Sequence, residues 1–161
     1  MRNAMFFPNR ILYREELLST TVTYAVDLSE TEFLNLKPIV PIEQLGIRPA
    51  EFRLNEVAEK ILERYAIHEL HYLASVNADI QRIQYLVENW DYREVGHITI
   101  GGFRPGPNGG YAINDGNHRC VALALLLATH SITYQPVTAI TAVTQTETRH
   151  RIYEDEYSQT R

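Results

Sequence analysis

The chain has 161 residues, of which 45% are hydrophobic and 22% are charged, and its net charge at pH 7 is −5. Length and composition predict one soluble globular domain with a hydrophobic core and exclude a disordered chain, and no apolar run is long enough to span a membrane. The negative charge disfavours a broad basic face for duplex DNA, and the single cysteine excludes an internal disulfide, as in a cytoplasmic protein.

The N-terminal part of the chain is predicted to be extended. Residues 10–13 and 21–26 are rich in β-branched and aromatic side chains and predict two strands, which would form a hairpin. We therefore treat residues 1–35 as a β extension of the core. Residues 37–45 predict a further strand.

The central part is predicted to be helical. Residues 54–65 place apolar side chains on one helical face, and residues 70–73 either continue this helix or form a short one of their own. A further helix over residues 80–90 would be capped by Asn77 or Asp79.

The C-terminal third predicts a short strand over 96–100, a glycine-rich loop over 101–110, a motif strand over 111–113 and a wholly apolar helix over 120–127. A last strand follows near 132–140.

The prediction is thus an α/β (α+β) fold with a small mixed sheet and packed helices. Its core spans residues 36–143, and the polar tail 144–161 is either a short exposed helix or frayed.

The chemistry is concentrated where the motif strand meets the apolar helix, in Asn-Asp-Gly-Asn-His-Arg at 114–119. A helix start has unpaired N–H groups and a partial positive charge, which suit a phosphate. Gly116 leaves the backbone bare, and His118 and Arg119 add donors. Cations here oppose the helix dipole unless an anion is present. In the alternative, Asp115 only caps the helix and the His-Arg pair is solvated.

The segment 113–119, followed by Ala-Leu at 122–123, resembles the signature of the ParB/sulfiredoxin superfamily. The resemblance covers 38–143 and is strongest over 80–127. It implies binding of a phosphate or nucleotide by Gly116, Asn117, His118 and Arg119.

The subgroups of that superfamily differ at the positions after Gly116. Sulfiredoxins carry a catalytic cysteine where this chain has Asn117, and Cys120 follows the His-Arg pair and would point into the core, so sulfinic-acid reduction is disfavoured. A free-serine kinase subgroup carries Asp-Gly-His-His-Arg, the most similar sequence, and ParB-like nucleases have a similar core.

Our leading hypothesis is an enzyme that hydrolyses or transfers a phosphoryl group of a nucleoside triphosphate. Asp115 would orient the nucleophile or a Mg²⁺ ion, and the Asn117 side chain would face the reacting group. Glu43, on the predicted strand 37–45, would be a base, and Arg104 would fold over the nucleotide. The alternatives are a non-enzymatic DNA-associated or regulatory module that acts through protein partners, and a ParB-like metal-dependent nuclease.

Two histidine patterns are weaker. His68 and His71 are spaced to share a metal on a helix, without an evident third ligand. His97, Asn114 and His118 resemble a His-Asn-His nuclease, without the usual residue pair that opens that motif.

Overall fold

A computed structural model describes the backbone of residues 11–104 and 110–154, and the side chains of residues 23–93, 95–101 and 110–142. Residues 105–109 of the predicted glycine-rich loop lie outside the described backbone. The described part contains a four-stranded mixed sheet and five α-helices, which confirms the predicted α+β class.

The elements follow one another with short connections. In chain order they are β1 (Ile11–Leu28), α1 (Glu30–Leu34), a 3₁₀ helix (Glu43–Leu45), α2 (Leu54–Leu62), a second 3₁₀ helix (Ile67–Glu69), α3 (Leu70–Ala74), α4 (Ala78–Glu88), a third 3₁₀ helix (Tyr92–Glu94), β2 (His97–Arg104), β3 (Gly110–Asp115), α5 (Asn117–Ala128) and β4 (Val137–Glu154).

The strand order in the sheet is β1-β4-β2-β3, with β2 antiparallel to β3 and parallel to β4. The chain divides into two compact units, residues 1–23 with 142–161 and residues 24–141. The described backbone of the first unit is extended, in β1 and β4. The second unit holds the helices, β2, β3 and every side chain discussed below.

The core of the second unit is built around α5. Its residues Cys120 to Leu127 are all buried, and the helix packs against α2 and α4. Both neighbouring helices are amphipathic and turn apolar side chains towards it, with Val57 and Ile61 on α2 and Ile80 and Ile83 on α4 buried. Burial of each such leucine or isoleucine contributes about 1.5–3 kcal/mol, so the start of α5 is held by a rigid support.

The prediction of a strand over residues 37–45 is wrong. Lys37 forms an isolated bridge to Ala112, and Ile42 pairs with Ile47 across a turn at Gly46, whose φ is 67°. Prolines at 38 and 41 remove the backbone donors that a continuous ladder would need, so the apolar pattern forms local bridges instead.

The ends of the chain also differ from expectation. Residues 11–28 form one long strand rather than a hairpin, because no Gly or Asn-Gly turn interrupts them. The last strand begins at Val137, directly after Pro136, and continues through residue 154, so the described part of the tail, residues 144–154, is a strand rather than a helix. Long β-branched runs favour this extension.

Helix α4 starts as predicted, because the Asn77 side chain accepts a hydrogen bond from the Ile80 N–H at 3.0 Å. Asp79 is therefore not needed as the cap. No helix among the described residues is long and apolar enough to cross a membrane.

Candidate functional site

The turn from β3 into α5 depends on Gly116, which has φ 94° and ψ 17° and is the N-cap of the helix. A Cβ at this position would lie 2.7 Å from Ile98 Cγ2 and 3.0 Å from Arg119 Nη2. Glycine is thus required by the left-handed backbone and by close packing on β2. The alternative in which Asp115 caps the helix is wrong.

No side chain caps the start of α5. The first helical bond runs from the Cys120 N–H to the Gly116 carbonyl at 2.9 Å, so the three preceding N–H groups are the helix's orphan donors. Together with the helix dipole, unpaired N–H groups favour an anion, and binding of an anion here stays a prediction.

These N–H groups lie at a cleft of about 530 Å³ between α4 and the start of α5. The size is typical of a small-molecule site. It is lined by Gln81, Arg82, Tyr85 and Leu86 of α4 and by Asp115, Gly116, Asn117, His118 and Arg119.

Asn117 has a structural role that the sequence did not reveal. Its side chain is 8% exposed; Oδ1 accepts from the Ile39 N–H at 2.9 Å and Nδ2 donates to the Ile113 carbonyl at 3.0 Å. The prediction that this amide faces a reacting group is wrong, because the amide joins the chain at Ile39 to the end of β3. Only the backbone N–H of Asn117 remains for a ligand.

His118 is paired with Asp79, at the start of α4, with 2.8 Å between Nε2 and Oδ1. The two side chains are 27% and 38% exposed, so the pair lies at the edge of the cleft. With the proton on Nε2, the ring donates to the carboxylate and keeps a lone pair on Nδ1. The sequence predicted Asp79 only as a possible helix cap, since a contact over 39 positions has no local signal.

Arg119 joins the start of β2 to α5. Its guanidinium donates to the Val95 carbonyl and to the His97 carbonyl, the latter at 3.4 Å, on either side of Gly96. Its Nη2 also lies 3.6 Å from Asp115 Oδ2. His118 and Arg119 therefore do not require an external anion, because both have acceptors within the chain.

Arg82 and Tyr85 also line the cleft and were not among the predicted site residues. Arg82 is exposed, and its guanidinium has no hydrogen-bond or ion-pair partner among the described residues. Tyr85, one turn further along α4, is 65% exposed beside it. The available signal was helical spacing: both lie on the face of α4 opposite Ile80 and Ile83.

The Mg²⁺ role of Asp115 stays a prediction. The side chain is 77% exposed with a guanidinium as neighbour, and the described residues contain no group of three histidine, cysteine or acidic side chains able to hold a metal. His68 lies on the second 3₁₀ helix and His71 lies on α3. The His71 ring is within hydrogen-bond distance of the His68 carbonyl.

Neither Glu43 nor Arg104 is among the described residues that line the cleft. Glu43 is exposed in the first 3₁₀ helix rather than on a strand. Arg104 ends β2, and its side chain lies outside the described residues.

Cys120 is in the core, as predicted, with 2% exposure. Burial raises the pKa of its thiol to about 12, which suppresses the thiolate needed for nucleophilic chemistry.

Comparisons with protein-family models, curated proteins and solved structures gave no significant match. The resemblance to the ParB/sulfiredoxin superfamily therefore stays a prediction, and function has to be argued from the cleft itself.

Proposed function

We propose that the protein binds a nucleotide with its phosphates at the start of α5, and that it hydrolyses or transfers a phosphoryl group. The observation that carries the proposal is the uncapped first turn of α5, which opens into a cleft that also holds Arg82. Backbone donors, a helix dipole and an unpaired guanidinium together favour a phosphate.

The nucleoside end of the ligand would contact α4. Tyr85 exposes most of its ring and Leu86 lies next to it, so the wall of the cleft combines aromatic and aliphatic surface. Such a surface suits a base, because stacking on an aromatic ring is worth about 1–3 kcal/mol and accepts any base.

His118 is the residue best placed to transfer a proton. The carboxylate of Asp79 orients the ring through the contact to Nε2, and a carboxylate that orients the ring is the usual arrangement of a histidine general base. Asp115 and Arg119 would complete the site as a charged pair beside the phosphates. No step of this proposal requires a metal held by the protein.

The binding test uses titration calorimetry with ATP, CTP and inorganic phosphate. Arg82→Ala should weaken all three ligands by about tenfold to a hundredfold, as expected for one charge-assisted contact. Tyr85→Ala should weaken only the nucleotides. Arg48, an exposed arginine that does not line the cleft, supplies the matched control Arg48→Ala. Equal losses in Arg48→Ala and Arg82→Ala would contradict the assignment of the phosphate site.

The catalytic test uses phosphate release with His118→Gln. Glutamine keeps a donor for Asp79 but cannot take up a proton, so turnover should fall by about 10²–10⁴-fold while nucleotide affinity is retained. Nucleotide binding by the wild type without any turnover would instead favour the non-enzymatic regulatory module. Nicking of supercoiled plasmid with a divalent metal would favour the nuclease.

A further inference from the structure

A second cavity, of about 950 Å³, lies apart from the α5 cleft and contains an unusual lysine. Lys37 is only 5% exposed, and its ammonium group has no hydrogen-bond or ion-pair partner among the described residues. Its nitrogen is not among the enclosed side-chain atoms that lack a partner in the described part of the chain, so the ammonium reaches the cavity, where an anion would pair with it.

The position of Lys37 is set by the backbone. Its N–H donates to the Tyr111 carbonyl and its carbonyl accepts from the Ile113 N–H, both at 2.9 Å, beside β3. Its Cε lies 3.9 Å from where a Cβ on Gly110 would stand, and Gly110 lines the same cavity. The end of the side chain is therefore in the cavity.

The lining of the cavity is rich in acidic side chains. Four glutamates line it, against Lys37 and one other lysine, Lys60, which sits 4.6 Å from the centre of the Phe52 ring. The four are Glu51, Glu56, Glu59 and Glu63. The Glu56 carboxylate accepts a hydrogen bond from the Arg53 N–H at 3.0 Å, and the other three glutamates are exposed. The cavity thus combines one largely buried lysine with an excess of carboxylates, most of which are exposed.

We propose that this cavity binds a small amphoteric molecule, whose acid group pairs with the Lys37 ammonium and whose amine faces the glutamates. The acid partner satisfies the buried charge, and the amine complements the acidic lining. Carboxylate and phosphonate share this chemistry, so the nature of the acid is left to the experiment. This site shares no lining residue with the α5 cleft and does not depend on nucleotide binding there.

The test measures binding of four probes by calorimetry and ligand-observed NMR: γ-aminobutyrate, aminopropylphosphonate, butyrate and butylamine. The two amphoteric probes should bind more tightly than the singly charged ones, and the better of the two identifies the acid. Lys37→Met should weaken that probe by about tenfold to a hundredfold, since Met keeps the bulk and removes the charge. Lys60→Met is the matched control at the same cavity and should have a smaller effect.

The acidic lining is tested separately with the double variant Glu59→Gln and Glu63→Gln. It should reduce the advantage of the amphoteric probes over butyrate and leave butyrate binding unchanged. Without ligand, Lys37→Met should melt at or above the wild-type temperature, which shows that its loss of binding is not a loss of folding. Absence of binding by all four probes, or equal binding by wild type and Lys37→Met, would overturn the proposal. Unchanged ATP affinity of Lys37→Met separates this site from the nucleotide site.

Discussion

Replacement of Asn117 by alanine tests whether this residue is structural, as its contacts indicate, or catalytic, as its position in the motif suggests. The change removes the bonds at 2.9 Å to the Ile39 N–H and at 3.0 Å to the Ile113 carbonyl. Ile113 is fully buried, so its carbonyl would lack a partner, and an unpaired buried group costs about 1–3 kcal/mol. The Ile39 N–H lies nearer the surface and adds less.

The expected loss in the free energy of unfolding is therefore about 2–4 kcal/mol. For a chain of this length it corresponds to a decrease in Tm of about 5–15 °C. Circular dichroism melts and urea unfolding measure both quantities. Nucleotide affinity below the melting transition should be retained, because the backbone N–H of residue 117 is unchanged.

Asn114→Ala is the matched control, since Asn114 is an exposed residue of the same type on β3. It should change stability by less than about 0.5 kcal/mol. If Asn117→Ala were as stable as this control but had lost turnover, the structural explanation would be refuted and the catalytic one restored.

Three further predictions concern the same region. Gly116→Ala should lower the free energy of unfolding by about 2–4 kcal/mol, since it combines a left-handed backbone with a Cβ 2.7 Å from Ile98. Gly46→Ala, where φ is 67° and nothing lies within 4 Å of the new Cβ, should lower it by only about 1–2 kcal/mol. Comparable losses of the two variants in urea unfolding would contradict the packing argument. Cys120 should react with a thiol reagent at neutral pH only after denaturation, and fast labelling of the native protein would show that the thiol is not buried. Because burial raises the pKa of this thiol from 9.0 to about 12, unfolding releases its proton in that interval, so wild-type stability should fall more than that of Cys120→Ala as pH rises from 9 to 12; parallel pH profiles would exclude this linkage.

The elements that the sequence predicted well are those with a strong local pattern. The buried helix α5, the cap of α4 at Asn77 and the strand that leads into Gly116 depend on apolar runs, short-range caps and a glycine turn. The prediction of a strand over 37–45 failed because it followed the apolar pattern and gave too little weight to Pro38 and Pro41, which interrupt a ladder.

The sequence by itself therefore determined the α+β class, the buried cysteine and the start of α5 directly after a glycine turn, since each depends on neighbouring residues. Only the tertiary structure decided that the Asn117 amide supports β3, that Asp79 pairs with His118 and that Arg82 lines the cleft. It also decided that Lys37 is buried without a partner. Contacts between residues tens of positions apart leave no periodicity in a single chain, because they depend on how the helices and strands pack together.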